Sequence, residues 1–359
     1  MTLHASMIEA LRRTRAGDLA GATALLRDAL KPTHAPAPPS PDDTAAGLLD
    51  LLPRRQPGPA SSPRTAPAEP AGARFDEHVY QGSGGTMHYR LYVPAGATPG
   101  MPLIVMLHGC TQSPEDFARG TGMNRLADAL GFLVAYPRQA QSANPQKCWN
   151  WFKPGDQQRD RGEPALLAGV TRQVIAEHGV DAKRVYVAGL SAGGAAAAIL
   201  AAEYPDLFAA AGIHSGLACG AARDLPSALS AMQRGGGAAR TQAAGRRFVP
   251  VITFHGDRDQ TVHATNSREI VDSAVAAAGG SLRVRTEEGR SAGGSAFRRE
   301  MHVDAAGVVQ IEHWTIAGAG HAWSGGNPAS SYTDPKGPDA SREMVRFFLE
   351  HTRGAAGGV

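Results

Sequence analysis

Residues 184–194 read Arg-Val-Tyr-Val-Ala-Gly-Leu-Ser-Ala-Gly-Gly and run directly into Ala195-Ala196-Ala197-Ala198-Ile199-Leu200. Val185–Ala188 are β-branched or apolar and predict a buried strand, and the alanine-rich run after Ser191 predicts a helix. Between them the chain must turn sharply. Gly189 and Gly193 supply positions where a Cβ would obstruct that turn. The turn lifts the Ser191 hydroxyl above the end of a sheet and sets it at a helix N-terminus, where partial positive charge favours a developing anion. In isolation, Gly-x-Ser-x-Gly also fits a glycine-rich turn with an ordinary capping serine. The strand before and the helix after select the strained strand-to-helix elbow.

The pattern around this elbow repeats. Alternation at 88–93 predicts a strand, apolar runs at 103–107, 132–136, 185–188, 209–214 and 249–254 predict strands buried on both faces, and 311–316 predicts a last strand. Helical patterns lie between or after them at 115–130, 164–178, 192–204, 264–277 and 341–349. Alternating β and α units imply an α/β fold, with a mostly parallel central sheet and helices on both faces. The stretch 220–247, rich in Gly, Ala and Arg, is expected to form a cap or excursion between two central strands.

A serine hydroxyl is a weak nucleophile and needs a base, itself oriented by a carboxylate. The loop Gly318-Ala319-Gly320-His321-Ala322-Trp323 follows the last strand and offers His321 as that base. His255 and His214 fall at strand ends, where structural or pocket-lining roles are expected. The stretch 251–262, VITFHGDRDQTV, places Asp257 and Asp259 in one loop. Asp259 is the expected acid, whereas Asp257, directly after His255-Gly256, is placed to hold that turn by an Asx hydrogen bond. Ser191, Asp259 and His321 stand 68 and 62 residues apart, in the order of the α/β-hydrolase fold. The oxyanion donors expected are the backbone N–H of Ala192 and that of Cys110, in the loop His108-Gly109-Cys110-Thr111-Gln112. Cys110 as a catalytic thiol has no second His–acid pair to serve it.

LHGCTQ, NPQKCWNWF at 144–152, VAGLSAGG, FHGDRDQTV and GAGHAWSGG together resemble the poly(3-hydroxybutyrate) depolymerase-type esterases, over roughly residues 76–350. The resemblance implies an α/β-hydrolase fold and a serine esterase acting on short-chain polyhydroxyalkanoate polyester or its oligomers, with feruloyl and acetyl-xylan esters as the alternative substrates. It implies Ser191, Asp259 and His321 as the triad and Cys110 and Ala192 as the oxyanion donors. No cofactor and no metal are expected. Trp149, Trp151 and Trp323 are expected to line the substrate cleft, with His108 shaping its floor.

Composition bounds the remaining classes. Thirty-six Lys and Arg against 33 acids leave a net charge of +3, which argues against a nucleic-acid binder. No run of 18 apolar residues suggests a transmembrane segment, and Arg12, Arg13 and Arg15 interrupt any signal-peptide core. A cytoplasmic location is therefore expected. Cys110, Cys148 and Cys219 leave room for one bridge, and the expectation is reduced thiols. Three domains are expected: a helical hairpin at 1–30, a Pro/Ala-rich linker at 31–73 with 11 prolines between Pro32 and Pro70, and a catalytic domain at 74–353. The N-terminal segment would serve polymer-granule association, and a granule- or partner-binding protein is the reading from a different functional class.

Overall fold

The computed structural model describes residues 71–82, 84–237, 247–279 and 281–354. The expected N-terminal hairpin, nearly all of the proline-rich linker, and with them the basis for granule association, lie outside the described residues.

The chain enters through an antiparallel pair, β1 (Arg74–Gly82) and β2 (Gly85–Val93), and continues into β3 (Leu103–Leu107). Two helices follow, α1 (Pro114–Thr121) and α2 (Met123–Leu130), where the sequence predicts one; Gly122 separates them at φ 64, which glycine adopts without strain. Then come β4 (Leu133–Pro137), α3 (Gly162–His178), β5 (Val185–Leu190), α4 (Ala192–Glu203) and β6 (Ala210–His214). The expected excursion holds α5 (Leu225–Arg234), started by a capping box between Asp224 and Ser227. After β7 (Val251–Gly256) and α6 (Thr265–Ala278), β8 (Arg283–Arg290), β9 (Ala296–Val303) and β10 (Val309–Ile316) form an antiparallel meander. The short strands β11 (Trp323–Ser324) and β12 (Thr333–Asp334) pair with each other, and α7 (Ala340–Leu349) closes the fold.

The ten-stranded sheet has the order β1-β2-β4-β3-β5-β6-β7-β10-β9-β8. Its six central strands, β4 through β10, are parallel, and its edges are antiparallel. This is the α/β-hydrolase arrangement. Strands β3, β4 and β5 are almost wholly apolar because both faces are covered, whereas β7 and β10 bury Thr253, His255, Glu312 and His313 among their apolar residues. Leu103, Val105 and Leu107 of β3 join one core layer with residues of α3 and α4, while Ile104 and Met106 join the other with residues of α1, α2 and α7. Such two-sided burial leaves polar function to the loops at the carboxyl ends of the strands. Among the described residues no helix is long and apolar enough to cross a membrane.

Candidate active site

The elbow after β5 is strained as its sequence demands. Ser191 sits at φ 59 and ψ −121, a region that non-glycine residues rarely enter and that tends to mark functional sites. Its backbone N–H is held by the His214 carbonyl at 2.9 Å. Both glycines of the motif are fixed by close packing. A Cβ on Gly189 would lie 2.3 Å from the Gly193 carbonyl group, and one on Gly193 would lie 2.1 Å from the Leu107 carbonyl oxygen. The second approach brings the start of α4 against the end of β3, and so sets Ala192 beside the loop that carries Cys110. Among the described residues, neither the Cys110 nor the Ala192 N–H is taken by a protein acceptor.

His321 and Asp259 meet. His321 Nδ1 lies 2.7 Å from Asp259 Oδ2, and with a carboxylate as acceptor the proton sits on Nδ1, leaving Nε2 as the basic nitrogen. The other carboxylate oxygen of Asp259 accepts the N–H groups of Thr261 and Val262, each at 2.9 Å. Burial works against ionising this carboxyl. Hydrogen bonds from His255 and His321 outweigh burial and hold it well below the usual carboxylate range. No hydrogen bond joins the Ser191 hydroxyl to His321, so of the expected relay the structure shows the His321–Asp259 half. Asp257 does not cap its own turn. It reaches across and accepts the Gly318 N–H at 2.7 Å, bracing the loop that bears His321.

Several further residues support the site: His214 and His255 in the structural roles expected of them, and Gln112 and Glu163, to which the sequence assigns no role. His214 is fully buried; its Nε2 accepts the Ser324 N–H at 3.0 Å, its Nδ1–H faces Ser215 Oγ at 3.2 Å, and its ring lies against Trp323. Burial first, then the nearby His255 and His321, push its imidazole down to about 3, so it is a neutral strut between the elbow and the His321 loop. His255 Nε2–H donates to the Val262 carbonyl at 2.8 Å and lies 3.4 Å from Asp259 Oδ2, while its Nδ1 is buried without a partner. Gln112 Oε1 accepts the Gly109 N–H at 2.9 Å, pinning the loop of Cys110 from within. Glu163, on α3, accepts hydrogen bonds from Gln139 and Asn150, and burial followed by the charge of Asp156 lifts its carboxyl to about 7. Isolated polar residues such as these carry no periodic signal, so only proximity to a motif could have flagged them.

Four expectations are corrected. Cys110 and Cys148 form a disulfide, not two reduced thiols. The bridge ties the proposed oxyanion loop to the tryptophan loop, and the Thr111 N–H to Gln146 carbonyl bond at 2.7 Å reinforces it. Trp149 is wholly buried, with its indole N–H donated to the His108 carbonyl at 3.0 Å, and Trp151 is buried against Phe152. Trp149 thus braces the loop that carries Cys110, and burial leaves neither ring free to wall a cleft. Trp323 is likewise buried, donating to Ser341 Oγ and packed against Phe117. His108 is enclosed too. Its Nδ1–H donates to the Gly109 carbonyl and its Nε2 accepts the Gln139 N–H, and burial pushes it down to about 4.

Residues 87–296 match the family model described as esterase PHB depolymerase. That span contains Ser191, Asp259, Cys110 and Cys148 and stops short of His321, whose place in the site rests on its contact with Asp259. The chain is 34% identical over 247 residues to poly(3-hydroxyalkanoate) depolymerase C of Paucimonas lemoignei, covering 66% of this chain and 58% of that one. It is 34% identical over 139 residues to feruloyl esterase B of Thermothelomyces thermophilus, covering 38% of this chain and 47% of that one. The chain thus spans about half the length of these two relatives. Among solved structures, an acetyl xylan esterase from Aspergillus awamori superimposes with a TM-score of 0.60 at 20% identity, over 74% of this chain and 94% of the other, which establishes the likeness of fold.

Proposed function

Because the chain belongs to the PHB depolymerase esterase family, we propose that it is a carboxylic ester hydrolase working through Ser191, His321 and Asp259. The observation that carries the reading is the 2.7 Å hydrogen bond from His321 to a buried, ionised Asp259, at the carboxyl ends of the same central strands as the strained Ser191 elbow. Ser191 Oγ attacks the ester carbonyl carbon while His321 Nε2 takes the hydroxyl proton. The carbonyl oxygen becomes an anion accepted by the Cys110 and Ala192 N–H groups, each such donor contributing roughly 3 kcal/mol. Collapse expels the alcohol, which receives the proton from His321 and leaves an acyl-serine. A water molecule, deprotonated by the same nitrogen, then releases the acid and restores the serine.

The preferred substrate is a short-chain polyhydroxyalkanoate ester or oligomer, in keeping with the depolymerase relative. The feruloyl esterase relative and the acetylxylan esterase from Talaromyces purpureogenus, 30% identical over 137 residues, support feruloyl or acetyl-xylan esters as the second reading. The Cys110–Cys148 bridge favours an oxidising compartment over the cytoplasm. The test is hydrolysis of p-nitrophenyl butyrate by the wild type and by Ser191→Ala, which is expected to lose roughly 10⁶-fold in kcat. Undiminished turnover by Ser191→Ala would overturn the assignment. Comparing 3-hydroxybutyrate trimer, methyl ferulate and acetylated xylan by kcat/KM decides between the substrates.

A further inference from the structure

Tyr332 is the one bulky aromatic residue among the described non-glycine positions with positive φ, at 51. It is also exposed, at 44% of its surface, so burial does not explain the conformation. A large side chain in this region is a genuine outlier and usually persists where function holds it.

Its contacts show what holds it. The Tyr332 carbonyl accepts the Trp323 N–H at 2.7 Å, at the start of the β11–β12 pair and two residues beyond His321. Its hydroxyl lies 3.4 Å from Thr111 Oγ1. The Thr111 hydroxyl proton already goes to the Cys110 carbonyl at 2.6 Å, so the tyrosine is the donor. Thr111 is itself at φ 67. The preceding Ser331 is fastened to Gln112 of the same loop and to Asp116 at the start of α1. Tyr332 therefore bridges the segment just after His321 and the loop bearing Cys110, whose Gly109 packs on Ser191, and it presents an exposed side chain there. The tryptophans expected to do this are buried.

We propose that the Tyr332 ring is a substrate-binding wall, on which an ester's chain beyond the reacting carbonyl packs, and that it sets preference for an oligomer over a small ester. The proposal rests on the hydrolase reading, and its test separates the two. Tyr332→Gly removes the ring while leaving a residue that adopts φ 51 freely, so the variant is expected to fold with an unchanged or higher Tm. Its KM for 3-hydroxybutyrate trimer is expected to rise roughly ten-fold, with a several-fold smaller effect on p-nitrophenyl acetate. Tyr332→Phe keeps the ring and is expected to stay within about two-fold of wild type on the trimer. In a Ser191→Ala background, the Kd for the trimer is expected to weaken by the same factor on Tyr332→Gly, which reads binding without catalysis. Equal losses on both esters, an unchanged trimer KM and Kd, or a trimer that binds Ser191→Ala no better than Ser191→Ala/Tyr332→Gly each overturn the proposal. A wild type that cleaves no ester overturns the hydrolase reading, while the Kd comparison still decides for Tyr332.

Discussion

Oδ1 of Asp257 accepts the Gly318 N–H at 2.7 Å, across 61 residues of chain, and so braces the loop whose histidine leans on a different aspartate two residues away. The two carboxylates of one loop thus divide the work. Asp259 faces the imidazole of His321 and Asp257 faces only backbone. Asparagine at 257 keeps a carbonyl oxygen for Gly318, so Asp257→Asn is expected to retain kcat within a few-fold. Asparagine at 259 presents an amide that favours the wrong tautomer of His321, and kcat is expected to fall by roughly 10⁴. Steady-state rates on p-nitrophenyl butyrate for the pair check this, and equal losses would remove Asp259 from the relay.

The parts of this fold written as periodic apolar runs were legible. Strands β3 through β7 and β10 lie within about two residues of their expected bounds, because strands buried on both faces are dominated by apolar residues. The β8–β9 hairpin was not: β8 reads Arg-Val-Arg-Thr-Glu-Glu-Gly-Arg, and its side chains are nearly all exposed, so no alternation marks it. The same division runs through the site. Ser191, Asp259 and His321 stand next to glycines that punctuate strand ends. His214 acts through a contact made only once distant segments have packed, with the Ser324 N–H from 110 residues away, while Gln112 and His255 act through loop contacts that follow no periodic pattern. The tryptophan expectation failed for a related reason. Aromatic residues near a cleft loop read alike whether they face substrate or prop the loop from below, and the indole of Trp149 is committed to the His108 carbonyl.

Acid should weaken this fold early. His108 and His313 are pushed down to about 4 and His214 to about 3, burial being the first cause in each. Each is kept neutral in the native state and protonates freely once unfolded, so the stability it contributes is present above about pH 6.5 and is lost as pH falls toward its native value. Glu163 acts in the opposite sense. Raised to about 7, it keeps its proton in the native state and loses it when unfolded, so its penalty shrinks as pH drops below 7. Between pH 6 and 5 the balance is an uptake of roughly two protons on unfolding, or about 3 kcal/mol lost per pH unit. Urea midpoints at pH 7, 6 and 5 measure it. A flat profile over that interval would mean that the histidines are solvated.

Gly193 joins two parts of the site by contact alone. A methyl group there would meet the Leu107 and His108 carbonyl oxygens at 2.1 and 2.6 Å, backbone atoms at the end of β3 and the start of the Cys110 loop. Relief requires α4 to move off β3, separating the Ala192 N–H from the Cys110 N–H. Gly193→Ala is therefore expected either to fail to accumulate as folded protein or to lose more than about 10²-fold in kcat, the scale of a lost oxyanion donor. Circular dichroism beside the rate assay tells the two apart. Full activity in a folded variant would contradict the close packing.

The disulfide joins Cys110 to Cys148 across 38 residues. By chain entropy a loop of that length contributes up to about 4 kcal/mol, through restriction of the unfolded chain. Its effect on rate should be smaller, because two other ties hold the same loop: Gln112 Oε1 on the Gly109 N–H, and the Thr111 N–H on the Gln146 carbonyl. Cys110→Ala/Cys148→Ala leaves every backbone N–H in place, so the oxyanion donor survives but is less rigidly aimed. The expected outcome is a Tm lowered by several degrees, kcat lowered roughly ten-fold and an unchanged KM, since the loss falls on the transition state. Treating the wild type with dithiothreitol should reproduce both changes, and reoxidation should reverse them. A double variant with wild-type kcat would show that Gln112 and Gln146 aim the Cys110 N–H unaided, and would confine the bridge to stability.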